Sequence, residues 1–462
     1  MEVVIVGNGA IALATAYELT LRIPDCNITI LAPAARTGCA STAAAAMFNS
    51  FAELERGTLS NQFEREKWLF NKSSTPYWKS LLTQLEYESN SKIHHGFGTY
   101  LINNHVSDSL EDENFQAIID GLNEFSEPYE FINPKDIPSY YPQSEGRASR
   151  CAFIPNEGFC NPIHLVNAFE SILRKNDRVN FADDSCQKLV TSKEGQVSSV
   201  IASSGTKYCG DIFYLAPGAT FSTIISNSDL NIRFPRIFFG AGATITIKSN
   251  ENTPKDCIRT PNRGLACGLY CAPRDQLNTV VGASNYISKD SVKSPAAGSV
   301  YSLLKGAIEQ INSNFYKAEV TSINFGWRPT SEDTLPMLGK TDIPNLLVAT
   351  GTKRDGLHCS PIIAECIVQQ ILGETTSHDI SLFKPDRKPI KTLSRNEAVS
   401  TYLGHVMNAN YQHDFVPAKN RMTEQLEKMY RKDIEELHEK VGAHDWGIPP
   451  ELVDMYRYGH IK

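Results

Sequence analysis

The sequence predicts an α/β fold of two interleaved domains with a helical C-terminal extension. Three observations carry this. The chain has 462 residues, beyond the size at which one hydrophobic core keeps growing. It opens on a strand–turn–helix–strand unit that starts at residue 2. Its middle holds segments that alternate like antiparallel strands, and its composition changes after Gly373.

The elements follow in order. Glu2 to Val6 is a continuous β-branched strand, Gly7-Asn8-Gly9 a tight turn, and Ala10 to Leu21 a helix with Tyr17 and Leu21 on one stripe. Asn27 to Leu31 is the second strand. Glu53 to Leu85 reads as helical, with Trp68, Leu69, Trp78, Leu81 and Leu82 as core positions. A strand over Ile93 to Asn103 and a polar helix over Asp108 to Phe125 come next. The Pro- and Tyr-rich stretch Asn133 to Gln143 is a loop, and Pro162 to Lys175 a helix. Val179 to Val200 reads as two strands around a turn at Glu194-Gly195, and Ile212 to Leu215 as a buried strand. Ile237 to Ile247 and Thr279 to Val281 alternate, Val300 to Ile311 is a helix, Leu346 to Ala349 a strand and Pro361 to Leu372 a helix. Beyond it, Lys384 to Lys391 reads as a charged, Pro-punctuated linker. Arg421 to Val441 is an amphipathic helix with Leu426, Met429, Ile434 and Leu437 as its apolar line.

Composition excludes several classes. Lys and Arg number 45 and Asp and Glu 52, a net charge of −7. That gives no global electrostatic reason to bind nucleic acid or anionic lipid. No apolar stretch is long enough to span a bilayer. Met1 to Leu21 imitates a signal peptide in apolarity, but no basic segment precedes it and Gly7 and Gly9 interrupt it, so a cytoplasmic protein is expected. The eleven cysteines are an odd, scattered set. Cys267 and Cys271 are the nearest approach to a metal pair, without a second pair, and are expected to be buried thiols. His94 and His95 are expected to be structural.

Gly7-x-Gly9-x-x-Ala12, set between a strand and a helix, has the form of a dinucleotide site. Gly7 permits the turn, Gly9 lets a pyrophosphate approach the backbone, and the helix N-terminus faces the anion. The fingerprint also wants an acid at the end of the second strand. That position is Ala32, and neither Asp25 nor Glu53 is suitably placed. The ribose then falls to backbone groups near Pro33 or to Arg36. In the run Thr37 to Met47, small residues allow close approach to a flat ligand, and Ser41 and Thr42 offer hydroxyls to phosphate. The plain alternative is a tightly packed Ala-rich helix start.

Through these residues and three later stretches, the chain resembles the glycine oxidase and D-amino-acid oxidase family of FAD enzymes. The opening and ARTGCASTAAAAM are similar to the family's approach to the flavin. CAFIPNEGFCNPIHLVNAF (Cys151 to Phe169) is similar to its second FAD segment, and IFYLAPGATFS (Ile212 to Ser222) to its turn against the cofactor. The stretch from Gly326 to Gly373, with GWRPTSEDTLPMLG at its head, is similar to its closing segment. The resemblance covers roughly residues 1 to 375. It implies non-covalent FAD, since no matching Cys or His stands where the family attaches flavin. The implied contacts are Gly7, Gly9, Ala10, Ile11, Ala32, Pro33, Arg36, Ser41, Thr42, Ala45, Ala46, Met47, Cys186, Ala216, Gly218, Arg354, Asp355, Gly356 and Leu357.

It also implies three catalytic positions. Arg328, flanked by Trp327 and Pro329, would grip a substrate carboxylate with its fork. Its alternative is a salt bridge to Glu332 or Asp333. Tyr270 would help hold the same carboxylate, or is a core tyrosine. His358 replaces an aliphatic residue beside the flavin. It would tune the potential or touch substrate, or else bond a loop carbonyl.

The implied domains are an FAD-binding domain of Rossmann-like form over 1–90, 150–220 and 325–375, and an antiparallel-sheet substrate domain over 91–149 and 221–324. Residues 376–462 form an extension expected to pack on the body or on a second subunit. The implied reaction oxidises the C–N bond of an amino acid or secondary amine carrying a carboxylate to an imine, with hydride passing to flavin N5. No strong side-chain base is required if the amine binds neutral. The acceptor of the electrons is O₂, a quinone or another protein. Three alternatives stay open: a biosynthetic flavoenzyme acting on a larger or carrier-bound substrate, the FAD subunit of a heteromeric dehydrogenase, and a non-catalytic binding or scaffold protein.

Overall fold

The computed structural model describes residues 1–104, 106, 109–249, 253–265, 267–412 and 421–461. In chain order the principal elements are β1 (Glu2–Val6), α1 (Ala10–Arg22), β2 (Asn27–Leu31), α2 (Gln62–Ser74), α3 (Tyr77–Ser89), β3 (His95–Asn104) and α4 (Ser109–Glu124). There follow β4 (Ala148–Cys160), α5 (Pro162–Arg174), β5 (Val179–Ala182), β6 (Ile212–Leu215), β7 (Ile237–Lys248), β8 (Tyr270–Pro273) and β9 (Asn278–Gly282). The remainder are α6 (Ala297–Gly306), β10 (Glu319–Ser331), β11 (Met337–Lys340), β12 (Leu346–Thr350), α7 (Ser360–Leu372), α8 (Arg395–Gln412), α9 (Met422–Lys440) and α10 (Val453–Arg457).

β1 is apolar throughout because both its faces are covered. Val3 and Ile5 join a core with Leu13, Ala16 and Ile363 of α1 and α7. Val4 and Val6 join another with Val200, Phe221 and Ile224. Among the described residues a six-stranded sheet runs β11-β12-β6-β1-β2-β5, parallel except at the β11–β12 pair. The turn after β1 therefore opens at the carboxyl edge of this sheet, beside the turn after β6. That is where doubly wound sheets bind ligands. A second sheet, of ten strands, holds β3, β4 and β7 to β10, with β7 and β10 paired antiparallel along their length. β4 and β10 belong to it although they straddle the expected domain limits at 150 and 325.

Local signals set several boundaries. Asn61 caps α2 by accepting from the Phe63 and Glu64 amides, and Asn161 caps α5 with Pro162 in its first turn. Gly373 ends α7 in the left-handed conformation. Other expectations are corrected. Glu53 to Leu85 is not one helix. A turn precedes α2, and Pro76 divides α2 from α3. Val179 to Val200 holds three strands, not two, because β5 adds to the parallel sheet before the antiparallel pair Cys186–Thr191 and Val197–Ala202 forms. Val300 to Ile311 lies in α6 and a π-helical turn at Ala307–Ile311. Leu21 is exposed while Tyr17 is buried. Asp108, the expected start of α4, lies outside the described residues.

Lys384 to Lys391 is not a loose linker. The Arg387 guanidinium donates to both carboxylate oxygens of fully buried Asp333, each at 2.9 Å. The extension then packs on the body. Val399, Tyr402 and Leu403 of α8, Ile434 and Leu437 of α9, and Leu452 and Tyr456 cluster around Phe238 of β7. The expected apolar line of α9 is only half used. Met429 is exposed and Leu426 half-buried, whereas Ile434 and Leu437 are covered. No helix among the described residues is long and apolar enough to cross a membrane. No cluster among them has the composition of a metal site, and of the two cysteines expected to be buried thiols Cys271 is buried whereas Cys267 is only half-buried.

Candidate functional site

A cleft of about 590 Å³ starts at the β1–α1 turn and ends at Arg328 on β10. Gly7 has φ 121°, and a Cβ there would collide with the Ala216 carbonyl where the β6 turn crosses it. The N-terminus of α1 has no side-chain cap and no acid in its first turn, so its partial positive charge faces the cleft. The Ala10 amide donates to Ser41 Oγ at 3.0 Å, which draws the small-residue segment against the helix start. Ala45, Ala46, Ala216 and Gly218 add small residues to the cleft wall, with Met47 beside them. This donor set and shape fit a dinucleotide.

The structure places every expected cofactor contact on this cleft except Thr42. Thr42 sits in the one-turn helix Ala40–Ala43, and its hydroxyl donates back to the Cys39 carbonyl at 3.1 Å. Arg36 lies at the mouth with Ala32 and Pro33, but its charge is met by Glu170 at 2.5 Å. Its Nε donates to the Asn8 carbonyl at 3.1 Å, while Asn8 donates to the Pro33 carbonyl at 3.0 Å. Cys186 borders the same end, its thiol pushed up to about 12 by burial.

At the other end, Arg328 does not bridge to Glu332 or Asp333. Its Nη1 donates to the Ser284 carbonyl at 3.0 Å and to Asn285 Oδ1 at 3.2 Å, both neutral. Among the described residues no carboxylate lies within ion-pair distance of it. Trp327 does not clamp the fork directly. Its ring lies over Gly38 and its Nε1 donates to the Val292 carbonyl at 2.7 Å. The space for the guanidinium comes from Gly242, where a Cβ would stand 2.6 Å from Nη2.

Tyr270 borders the cleft and is buried, which pushes its hydroxyl far above the ordinary range and keeps it protonated as a donor. His358 is also buried, and burial pulls it down to about 4, so it is neutral at neutral pH. Its Nε2 lies 3.1 Å from the Asn71 carbonyl, which fixes the proton there, and buried Nδ1 keeps a lone pair with no partner among the described residues. The loop-carbonyl bond that was the plain alternative is thus present, yet it leaves an acceptor beside the cleft.

Sequence reasoning missed the acid at the centre. Glu53 lines the cleft and accepts from Arg259 at 2.6 Å and from Asn262 at 3.1 Å. It also faces Arg354 at 3.4 Å, and Glu55 faces the same guanidinium at 3.4 Å. The two arginines hold the Glu53 carboxyl down at about 2 against the opposing effect of burial. Arg354 is therefore pinned by two acids, and Arg354 to Leu357 line the cleft. Gly242 and Asn285 were missed as well. The partners lie far apart in sequence, so no local spacing announces them.

Residues 2–370 match the family described as FAD dependent oxidoreductase (DAO), and the chain belongs to that family. FAD is therefore its cofactor. A protein of Nostoc sp. (strain PCC 7120) named bifunctional protein ThiO/ThiG is 24% identical over 385 residues, which cover 82% of this chain and 54% of that one. The chain spans about half the length of the curated relatives it matches. The fold is similar to iminodiacetate oxidase from Chelativorans sp. BNC1 at a TM-score of 0.70, with 17% identity, covering 84% of this chain and 100% of that one. It is similar to glycine oxidase from Geobacillus kaustophilus at a TM-score of 0.71, with 18% identity, covering 84% and 98%.

Proposed function

We propose that this FAD-dependent oxidoreductase oxidises the C–N bond of an amino acid or secondary amine carrying a carboxylate, giving an imine. The observation that carries the reading is Arg328. It is a guanidinium at the end of the cofactor cleft, held in place by two neutral acceptors and without an acid of its own. Such a group takes a carboxylate in a fixed orientation. Tyr270 donates from the same wall. Similarity to an iminodiacetate oxidase and a glycine oxidase, whose names imply small carboxylated amines, supports the substrate class.

Bound FAD supplies the two-electron acceptor for the Cα hydrogen. The chain's residues do the rest. The turn after β1 and the N-terminus of α1 hold the pyrophosphate. Arg328 and Tyr270 fix the carboxylate and so aim the Cα–H at the cofactor. The nitrogen lone pair forms the C=N bond as the hydride leaves, and water then splits the imine to a carbonyl and an amine.

The test is anaerobic bleaching of the oxidised-flavin spectrum by a panel of amino acids and N-methylated amines. Arg328→Ala is expected to lower kcat/KM for carboxylated amines by about a hundredfold, the scale of one charged hydrogen-bonded contact. Arg328→Lys should recover only part of it. A wild-type flavin that no carboxylated amine bleaches would end this reading.

A further inference from the structure

We propose that the chamber between the body and the C-terminal extension is the outer part of the substrate site, and that it selects carboxylated amines with an extended, neutral, hydrophilic arm. The inference rests on the amine-oxidation reading and names its substrate class.

The chamber has a volume of about 580 Å³ and shares Glu53, Arg328, Lys353, Arg354 and Asp355 with the cofactor cleft. The two spaces therefore adjoin at Arg328, and an arm on a molecule whose carboxylate sits there has the chamber to enter. This volume falls in the range of roughly 300–1,000 Å³ that suits drug-sized ligands, far more than a glycine-sized amine fills.

Its walls specify the arm. From the extension come Asn396, Ser400 and Thr401, and from the body Thr58 and Ser60, whose hydroxyls each keep bonding capacity beyond their contacts with the Glu55 amide and the Gly57 carbonyl. These offer hydroxyls and amides, which an apolar arm would strip of water without replacement. The chamber does not call for a second carboxylate. Its other cations are already paired: Arg56 with Glu113, Lys67 with Glu64, Lys353 with Glu451, and Arg354 with Glu53 and Glu55. A neutral arm rich in hydroxyl or amide groups satisfies both conditions.

The extension is a fixed wall. The Gly264 and Leu265 amides donate to Asn408 Oδ1 at 2.8 Å and His405 Nδ1 at 2.9 Å. Asn61 donates to the Thr392 carbonyl at 2.8 Å, and Glu451 pairs with Lys353, in the loop that borders the cofactor cleft. The family match ends at residue 370, before all of these extension residues. The residues that build this wall therefore lie outside the matched family segment.

The experiment uses the FAD-loaded full chain and follows flavin bleaching in anaerobic single turnover. The probes are N-methylglycine, glycine carrying a polyhydroxyalkyl arm, and glycine carrying an alkyl arm of equal length. The arm is placed on nitrogen in one set and on Cα, in both configurations, in the other. The hydroxylated arm is expected to raise the second-order reduction rate about tenfold over both other probes. Ser400→Trp, at an exposed position on the chamber wall, should remove that preference and leave N-methylglycine within about twofold. Asn396→Ala, which fills nothing, should weaken the hydroxylated arm alone. If the three probes react alike and Ser400→Trp changes none of them, the chamber is not the substrate's, while amine oxidation stands. If no probe bleaches the flavin, the oxidation reading falls and this inference falls with it.

Discussion

Replacing Glu53 by glutamine tests the electrostatic centre of the site. The carboxylate sits between Arg259, whose side chain is fully buried, and Arg354. Its ordinary value of 4.5 falls to about 2 in the folded chain, a drop of 4.5 − 2 = 2.5 on the pH scale. At about 1.4 kcal/mol per pH unit, the ionised form contributes on the order of 3 kcal/mol above what the neutral form gives. Glutamine mimics that neutral form, keeping an acceptor for Arg259 but no charge. The same loss follows from another direction, since breaking a buried ion pair costs about 3–5 kcal/mol. Urea unfolding at pH 7 should therefore show Glu53→Gln less stable by about 3 kcal/mol. The sign with pH is set by the lowered value. The contribution is complete above 4.5 and is lost as pH falls toward 2, so the two proteins should converge over that interval. A deficit below about 1 kcal/mol at pH 7, typical of a surface pair, would refute the reasoning. So would a deficit that does not narrow below pH 4.5.

Two further substitutions probe the supports. Gly242→Ala puts a methyl group into the Arg328 guanidinium. It should raise KM for carboxylated amines about tenfold or more with a smaller change in flavin affinity, read by reduction kinetics and by FAD titration. Arg387→Ala leaves the buried Asp333 carboxylate without its bidentate partner. It should cost about 3–5 kcal/mol, and limited proteolysis should then release the extension before the body is cut.

Where a signal was local, the sequence showed it. The β1–α1 opening, the strand β12 and the helix α7 were all legible, because periodicity and Gly-Pro punctuation act over a few residues. Arg328 was legible as a candidate, but its supports were not. Ser284 and Asn285 lie more than forty residues away, and Gly242 stands across the β7–β10 ladder. Glu53 and Arg259 are separated by 206 positions, so Glu53 was weighed only as a ribose ligand. Thr42 misled for a local reason, since a threonine in a short helix bonds its own backbone in preference to a ligand. The segment around Arg387 misled because charge and proline suggest a linker. Its decisive partner, Asp333, is distant in sequence and buried.

The supply of protons at the site leads to a last prediction. Oxidation to an imine needs a nitrogen lone pair, so an ammonium substrate must first lose a proton. Tyr270 is held protonated and His358, at about 4, is a weak base with its one open nitrogen buried. Glu53, at about 2, is weaker still and is committed to two arginines. Asp355 is the remaining group on both cavities. Burial pushes its carboxyl upward, and among the described residues it has no ion-pair partner. If the substrate arrives already neutral, the second-order reduction rate should rise with pH along the titration of the amine itself. The midpoint should then move by the full difference when one amine is exchanged for another of lower pKa. If Asp355 takes the proton instead, the profile should carry an inflection that stays at one pH for every substrate, and Asp355→Asn should abolish it. The geometry favours the first outcome, because Arg328, the cation proposed to fix the substrate, bonds only neutral acceptors and has no carboxylate within ion-pair distance among the described residues. A substrate-independent inflection that disappears in Asp355→Asn would overturn that conclusion.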